Sequence, residues 1–365
     1  MDELPLDCLA LIADFTCSHC SFCPVSQKWC RVAHHRNLIF ALHTVDAAAL
    51  PTAEDLQRLM AFHPRRASLD VRKTAKAKAL AAFLGSLPEG LPLEYVSARG
   101  SFASESVSEQ FGQLSRFTTL RRVTIEFMSE LLADTSKLFR IFGGAGVEEA
   151  AIWGSGFSLL PRPALDEVTG SFAHLRVLVF KFGLADNELN TMLYRLGAAR
   201  QLERLVLYMG FWRKSAVDPD AFRQLSTLPS LRWLELECGS AQDNRDIWVP
   251  PLGLLCECPA LTALTLSLRR CNLKARHLQG IIKVAAVPNL AGLELDLKSN
   301  LLMDKHVKQL CEAFVPGPEL RFLKLEVGGV GFTTSKASKA ALRGLKRRLK
   351  ASNVKSNLTH HYHAR

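Results

Sequence analysis

Residues 17–30 hold the densest set of reactive side chains: Cys17-x-x-Cys20-x-x-Cys23, then Cys30, with His19, His34 and His35 nearby. Two thiolates separated by two residues can reach one metal ion, so Cys17 and Cys20 form half of a tetrahedral zinc site. Cys23 and Cys30, or a histidine, would have to supply the other half. Three cysteines at this spacing would also suit an iron–sulfur cluster. A competing reading puts Cys30 on the same helical stretch as Trp29, where no metal is needed. Without a second clean pair, the cluster is expected to hold no metal, and no cofactor is expected elsewhere.

The rest of the chain offers no catalytic constellation. It has no glycine-rich phosphate loop, no His-Glu-x-x-His and no nucleophile elbow. Gly328-Gly-Val-Gly331 lacks the remainder of a dinucleotide fingerprint and reads as a turn. His360, His361 and His363 near the end are assigned no role. The chain is expected not to be an enzyme.

Composition narrows the class. With 365 residues, 48% hydrophobic and 22% charged, the chain can bury a large core and suits a small module joined to a longer array. No run approaches the ~18 apolar residues that a membrane helix needs, so no membrane partner is expected. The opening Met-Asp-Glu-Leu-Pro lacks the basic-then-apolar layout of a secretory signal, which leaves the cytosol or nucleus as the expected location. The net charge of +11 is concentrated at one end. After Glu326 there is no acidic residue and nine Lys or Arg, so the remainder carries 11 − 9, or +2.

The elements come from one phrase that recurs from Leu120 to Val327: Leu, two residues, an aliphatic, one residue, an aliphatic. Examples are Leu175-Leu178-Phe180, Leu202-Leu205-Leu207, Leu231-Leu234-Leu236 and Leu261-Leu264-Leu266. Successive copies start 27 to 30 residues apart, and degraded copies precede them at Leu93 and Arg66. Residues two apart point to the same side of a strand, so these aliphatics turn inward. Segments such as Pro219–Leu228 and Asp304–Phe314 have helical spacing and would return the chain to the next strand. Lys73–Leu87 has the same character, with Lys73, Lys76 and Lys78 on one side. In the copies at Leu261 and Leu290 the alternation continues to Leu268 and Leu297. The strands should be longer there, with Cys271 or Asn300 bonding the turn backbone.

A leucine-built strand phrase at this period resembles the leucine-rich repeat, in its longer, helix-bearing form. That resemblance implies an α/β solenoid: a parallel strand ladder with outer helices, burying one continuous core.

The first forty residues carry a second resemblance. Leu4-Pro5-x-x-x-Leu9-x-x-Ile12 reads as a helix entered through proline, and Val25-x-x-x-Trp29-x-x-x-Ala33 as a second helical stripe. Both phrases, in this order and ahead of leucine-rich repeats, resemble the F-box. The resemblance implies that Pro5, Leu9, Ile12, Val25 and Trp29 face a Skp-type adaptor. A plain helical cap shielding the first repeat is the alternative. The expected layout is an all-α F-box-like module over 1–40, a linker over 41–63 with a helix from about Thr52, the solenoid over 64–334, and a basic cap and tail over 335–365.

The solenoid's concave strand face is the expected place for a protein partner. Its candidate contact residues are Trp153, Lys181, Arg204, Tyr208, Trp233, Glu235, Glu237, Glu294 and Asp296. Exposed aromatics beside arginine are common anchors of interfaces, and the acids suit a partner with a basic stretch. The aromatics could equally pack beneath the loops Trp212–Asp218 or Gln242–Pro250. In the tail, Ala340–Lys350 should form a helix over the last repeat, with Ala351 onward flexible. Its basic run would serve as an import signal, a nucleic-acid contact or a solvated cap. Taken together, the expected function is the substrate-recognition subunit of a Skp–cullin–F-box ubiquitin ligase, bound through the adaptor to a cullin scaffold. The alternative is a repeat scaffold within a larger assembly, a ribonucleoprotein among the options.

Overall fold

The computed structural model describes residues 37–42, 53–60, 66–72, 77–100, 105–127, 133–143, 146–154, 162–170, 172–181, 186–209, 218–238, 251–271, 273–285, 287–300, 302–330 and 336–363. The chain divides into two compact units, one built from Met1–Gly156 and Asp166–Ser171 and the other from Phe157–Leu165 and Phe172–Arg365. Helix α4 (Arg162–Gly170) is shared between them.

Unit 1 alternates strands and helices: β1 (Asn37–Leu42), α1 (Ala53–Met60), β2 (Arg66–Arg72), α2 (Ala77–Gly85), β3 (Leu93–Gly100), α3 (Glu105–Gln113), β4 (Arg122–Phe127) and β5 (Glu149–Gly154). A 3₁₀ segment, Ala133–Gly143, replaces the helix between β4 and β5. Each strand pairs in parallel with the next, with one bulge between Ala67 and Ser68.

Unit 2 continues the pattern with β6 (Val177–Lys181), α5 (Asp186–Leu196), β7 (Arg204–Met209), α6 (Pro219–Arg223), β8 (Trp233–Cys238) and β9 (Ala263–Ser267). It ends with α7 (Ala275–Val284), β10 (Gly292–Lys298), α8 (Asp304–Ala313), β11 (Phe322–Val330), α9 (Lys336–Ala351) and β12 (Lys355–His363). Its strands are also parallel, each paired with its sequence neighbour. Both units are therefore α/β stacks of parallel strands with helical or 3₁₀ returns, the architecture expected of helix-bearing leucine-rich repeats.

The register carries the recurring phrase through unit 2. Leu178 faces Leu205, then Leu234, Leu264, Leu293 and Leu323, one row across six strands. Every member is at most 1% exposed. Removing a leucine side chain from water is worth roughly 2 kcal/mol, so this row alone is a large share of the driving force. A one-residue slip on any strand would turn its leucines outward, which is why the register holds. Leu268 and Leu297 are buried as well. The expected lengthening is present on β10, whose seven residues take in Leu297, but not on β9, which ends at Ser267 and is followed only by a bond from Leu268 N–H to the Asp296 carbonyl at 2.8 Å.

Both ends of the repeat array differ from expectation. Among the described residues the ladder opens at Asn37 rather than near residue 64, so β1 takes the last residues of the expected helical module. Asn-Leu-Ile-Phe-Ala-Leu is a short apolar run with strand-favouring Ile and Phe, and a run this short has no period to separate strand from helix. At the other end, Lys355–His363 is not a flexible tail: it pairs in parallel with β11 over nine residues. Asn353, at φ 57°, ends α9 in the left-handed conformation that asparagine tolerates, and turns the chain into β12. This strand is polar, and among the described residues it pairs only with β11, as suits an edge strand.

Candidate binding face of the strand ladder

The side of each ladder away from the core presents the residues between the buried aliphatics. On unit 1, outward charges pair across strands: Arg99 with Glu126 at 3.3 Å, and Arg122 with Glu149 through two contacts at 2.5 and 2.9 Å. Trp153 ends this face, half-buried on β5 and in register with Glu126.

The other expected contact residues lie on unit 2, where the register sorts them into rows. The first row reads Arg204, Trp233, Ala263, Gly292, Phe322, Lys355. Trp233 is 43% exposed and Phe322 36%, while Arg204 lies 4.7 Å over the Trp233 ring. Between the two aromatics the floor is only Ala263 and Gly292, and a Cβ built on Gly292 would meet nothing within 4 Å. Three strand spacings separate the rings, about 14 Å. The space over Gly292 is therefore open to a side chain from outside.

The next rows contain the acids. Glu235 and Glu237 on β8 and Glu294 and Asp296 on β10 flank β9, whose outward residues Ala263, Thr265 and Ser267 are all small. β9 therefore forms the floor of a trough with carboxylates on both sides. Each acid also has a cation: Lys181 spans β7 to reach Glu235 at 3.4 Å and Glu237 at 3.6 Å, and Lys324 reaches Glu294 at 3.3 Å. Lys298 joins Asp296 at 3.3 Å and Glu326 at 2.7 Å. The Glu326 hydrogen bond holds the Lys298 ammonium above its ordinary pKa. Half-buried Tyr208 is raised too, by burial first and then by Glu237 and Cys271, so its phenol stays protonated. The Lys181 and Lys324 pairs are partly exposed and contribute little stability, so an incoming cation could exchange with those two lysines at small cost, whereas Lys298 and its partners are more enclosed.

Not every sequence expectation falls on the described residues. Pro5, Leu9, Ile12, Val25 and Trp29, and the cysteines Cys17, Cys20, Cys23 and Cys30, lie outside them. Trp153 belongs to unit 1, whereas Lys181, Arg204, Tyr208, Trp233, Glu235, Glu237, Glu294 and Asp296 belong to unit 2. Lys298 and the notch floor were missed. Lys298 could have been found by following the alternation past Leu297, and the floor by noticing that β9 and the start of β10 lack bulky outward residues. Among the described residues no group of three or more His, Cys, Asp or Glu side chains could hold a metal ion, and no helix is long and apolar enough to cross a membrane.

No protein-family model matches the chain, and no curated protein does. Among solved structures, a Bacteroides fragilis protein is similar at 15% identity and TM-score 0.44, over 73% of this chain and 74% of that one. An internalin of Listeria monocytogenes is similar at 13% identity and TM-score 0.44, over 98% of this chain and 90% of that one. Likenesses this low add nothing to the repeat assignment, which rests on the ladder register and the buried leucine row.

Proposed function

We propose that the chain is a non-catalytic binding protein whose unit 2 strand face takes a segment of a target protein. The observation that carries this reading is the first row, with exposed Trp233 and Phe322 on either side of a floor of Ala263 and Gly292. A large aliphatic or aromatic anchor fits that notch. A lysine or arginine nearby on the same segment would lie over Thr265 and Ser267, between the β8 and β10 carboxylates, and take over part of their pairing.

We further propose that the first forty residues dock a Skp-type adaptor, making the chain the substrate-recognition subunit of a Skp–cullin–F-box ubiquitin ligase in the cytosol or nucleus. This second part rests on the resemblance carried by Pro5, Leu9, Ile12, Val25 and Trp29 alone.

Affinity purification of the full chain tests both parts. The Trp233→Ala/Phe322→Ala variant should lose its target, with binding reduced at least tenfold and the melting temperature within a few degrees of wild type. Adaptor and cullin should stay with that variant and be lost on Val25→Asp or Trp29→Asp. Undiminished target capture by the double variant would sink the strand-face reading. If neither adaptor nor cullin accompanies the wild-type chain, the ligase reading fails and the strand face stands as a scaffold surface.

A further inference from the structure

Helix α9 carries a feature that the strand-face reading does not use. Its Ser338, Leu345 and Leu349 are buried against unit 2, and the Arg348 guanidinium donates to the Cys311 carbonyl on neighbouring α8. These contacts fix which side of the helix points away. On that side Lys336, Lys339, Arg343, Lys346, Arg347 and Lys350 are all exposed. Spacings of three and four residues align them in one stripe, and the fourteen rises of 1.5 Å from Lys336 to Lys350 make it about 21 Å long.

Among the described residues nothing neutralises this stripe. No acidic residue occurs after Glu326, and none of the six side chains makes an ion pair among the described residues. By contrast, Lys181, Lys298 and Lys324 on the strand face are all paired. Like charges three and four apart oppose helix formation. The stripe therefore weakens α9 unless an anion lies along it.

The anion's class follows from what accompanies the charges. A helix that lies on a membrane presents a broad apolar face beside its cations. Here the leucines at 345 and 349 are spent in the core, and the exposed remainder is alanine with a half-buried Leu342. A linear polyanion with one charge per repeat unit matches a straight row of cations better than a protein surface of mixed sign. Cations clustered along one helix are the electrostatic footprint of a nucleic-acid partner.

We propose that the outer stripe of α9 binds the phosphodiester backbone of nucleic acid. No aromatic side chain lies on α9 to stack on bases, so binding is independent of sequence. The stripe and the strand face are separate surfaces, and either can fail alone.

The test uses the full chain and a fluorescent 30-nucleotide single-stranded RNA of mixed sequence, read by anisotropy between 50 and 200 mM KCl. With six phosphates neutralised, log K should fall against log [KCl] with a slope of about −4, a loss of roughly two orders of magnitude across that range. Lys339→Glu/Arg343→Glu/Lys346→Glu should cut affinity at least tenfold at 50 mM and flatten the slope by about 2. Lys339→Arg/Lys346→Arg should bind like wild type, separating charge from damage to the fold. A second RNA of unrelated sequence should bind within about twofold. Binding that ignores salt, or survives the triple reversal with the slope unchanged, overturns the proposal. So does binding to phosphatidylserine vesicles without binding to RNA.

Discussion

Asn300 shows how much one buried polar side chain can organise. It is 2% exposed and sits just past β10, where Ser299 turns the backbone at φ 58°. Its Nδ2 donates to the carbonyls of Leu268, Leu297 and Lys298 at 2.8, 2.9 and 3.3 Å, while its Oδ1 accepts from Leu273 N–H at 3.0 Å. The amide thus ties two consecutive repeats at a turn where the strand ladder cannot satisfy the backbone. Cys271 holds the same place one repeat earlier, its thiol approaching the Cys238 and Arg269 carbonyls at 3.8 and 3.6 Å after a matching turn at Arg270. A thiol is the weaker donor, so the two turns are not equally held. This role was legible from the sequence because a lone Asn follows a leucine alternation at a fixed offset. Which carbonyls it meets was not, since they belong partly to the previous repeat. Asn300→Ala should leave those groups buried and unpaired, lowering stability by about 3 kcal/mol. Urea unfolding would show this as a lower midpoint at unchanged slope, and a shift below about 1 kcal/mol would mean that water replaces the amide.

Among the elements, strands were easier to foresee than the segments that return the chain. The strand phrase is fixed by what must face the core, whereas the return need only span the distance. Asp304–Ala313 is a full helix, yet Leu252–Glu257 and Ala133–Gly143 are 3₁₀ segments. The expected helix over Pro219–Leu228 becomes the short α6 followed by a 3₁₀ turn, Gln224–Thr227. What secures α6 is its first residue boundary. Asp218 Oδ1 accepts from Asp220 N–H at 2.9 Å, its Oδ2 accepts from the Tyr194 hydroxyl at 2.5 Å, and its own N–H donates to Asn190 Oδ1 at 3.0 Å. The last two bonds fasten α6 to α5. The Tyr194 hydroxyl, and then the Asp220 amide, hold the Asp218 carboxyl below its ordinary range, while the same bond pushes the Tyr194 phenol up. A carboxyl pKa lowered by folding stabilises the fold above its unfolded value, and that contribution is lost as pH falls through the folded value. Tyr194→Phe removes the largest cause, so the Asp218 carboxyl should titrate at higher pH, closer to a free aspartate. A carboxyl-carbon NMR titration on both proteins would read the difference, and coincident curves would show that the amide alone sets it.

At the scale of the molecule, a repeat stack has no contacts between distant positions, so each repeat depends on its immediate neighbours. The leucine row made that much legible within unit 2, because its period sets the pairing strand by strand. The ends were not legible: β1 is an apolar run too short to show a period, and β12 sheds the apolar alternation that would announce it. β12 is the case in point. Its registered pairs run from Phe322↔Lys355 to Val330↔His363, and Val354, 6% exposed, leads into it through a bond to the Leu349 carbonyl at 2.8 Å. β12 in turn covers Leu323, Leu325 and Val327 of β11, all fully buried. A chain ending at Asn353 should therefore open first at β11. Hydrogen exchange within Phe322–Val330 should accelerate by an order of magnitude or more, because its amide partners and its apolar cover are lost together. Exchange within β7, Arg204–Met209, should stay at the wild-type rate, since four repeats separate it from the cut. Uniform acceleration across unit 2 would instead mean that the stack unfolds as one cooperative body, with β12 stabilising every strand from β6 onward.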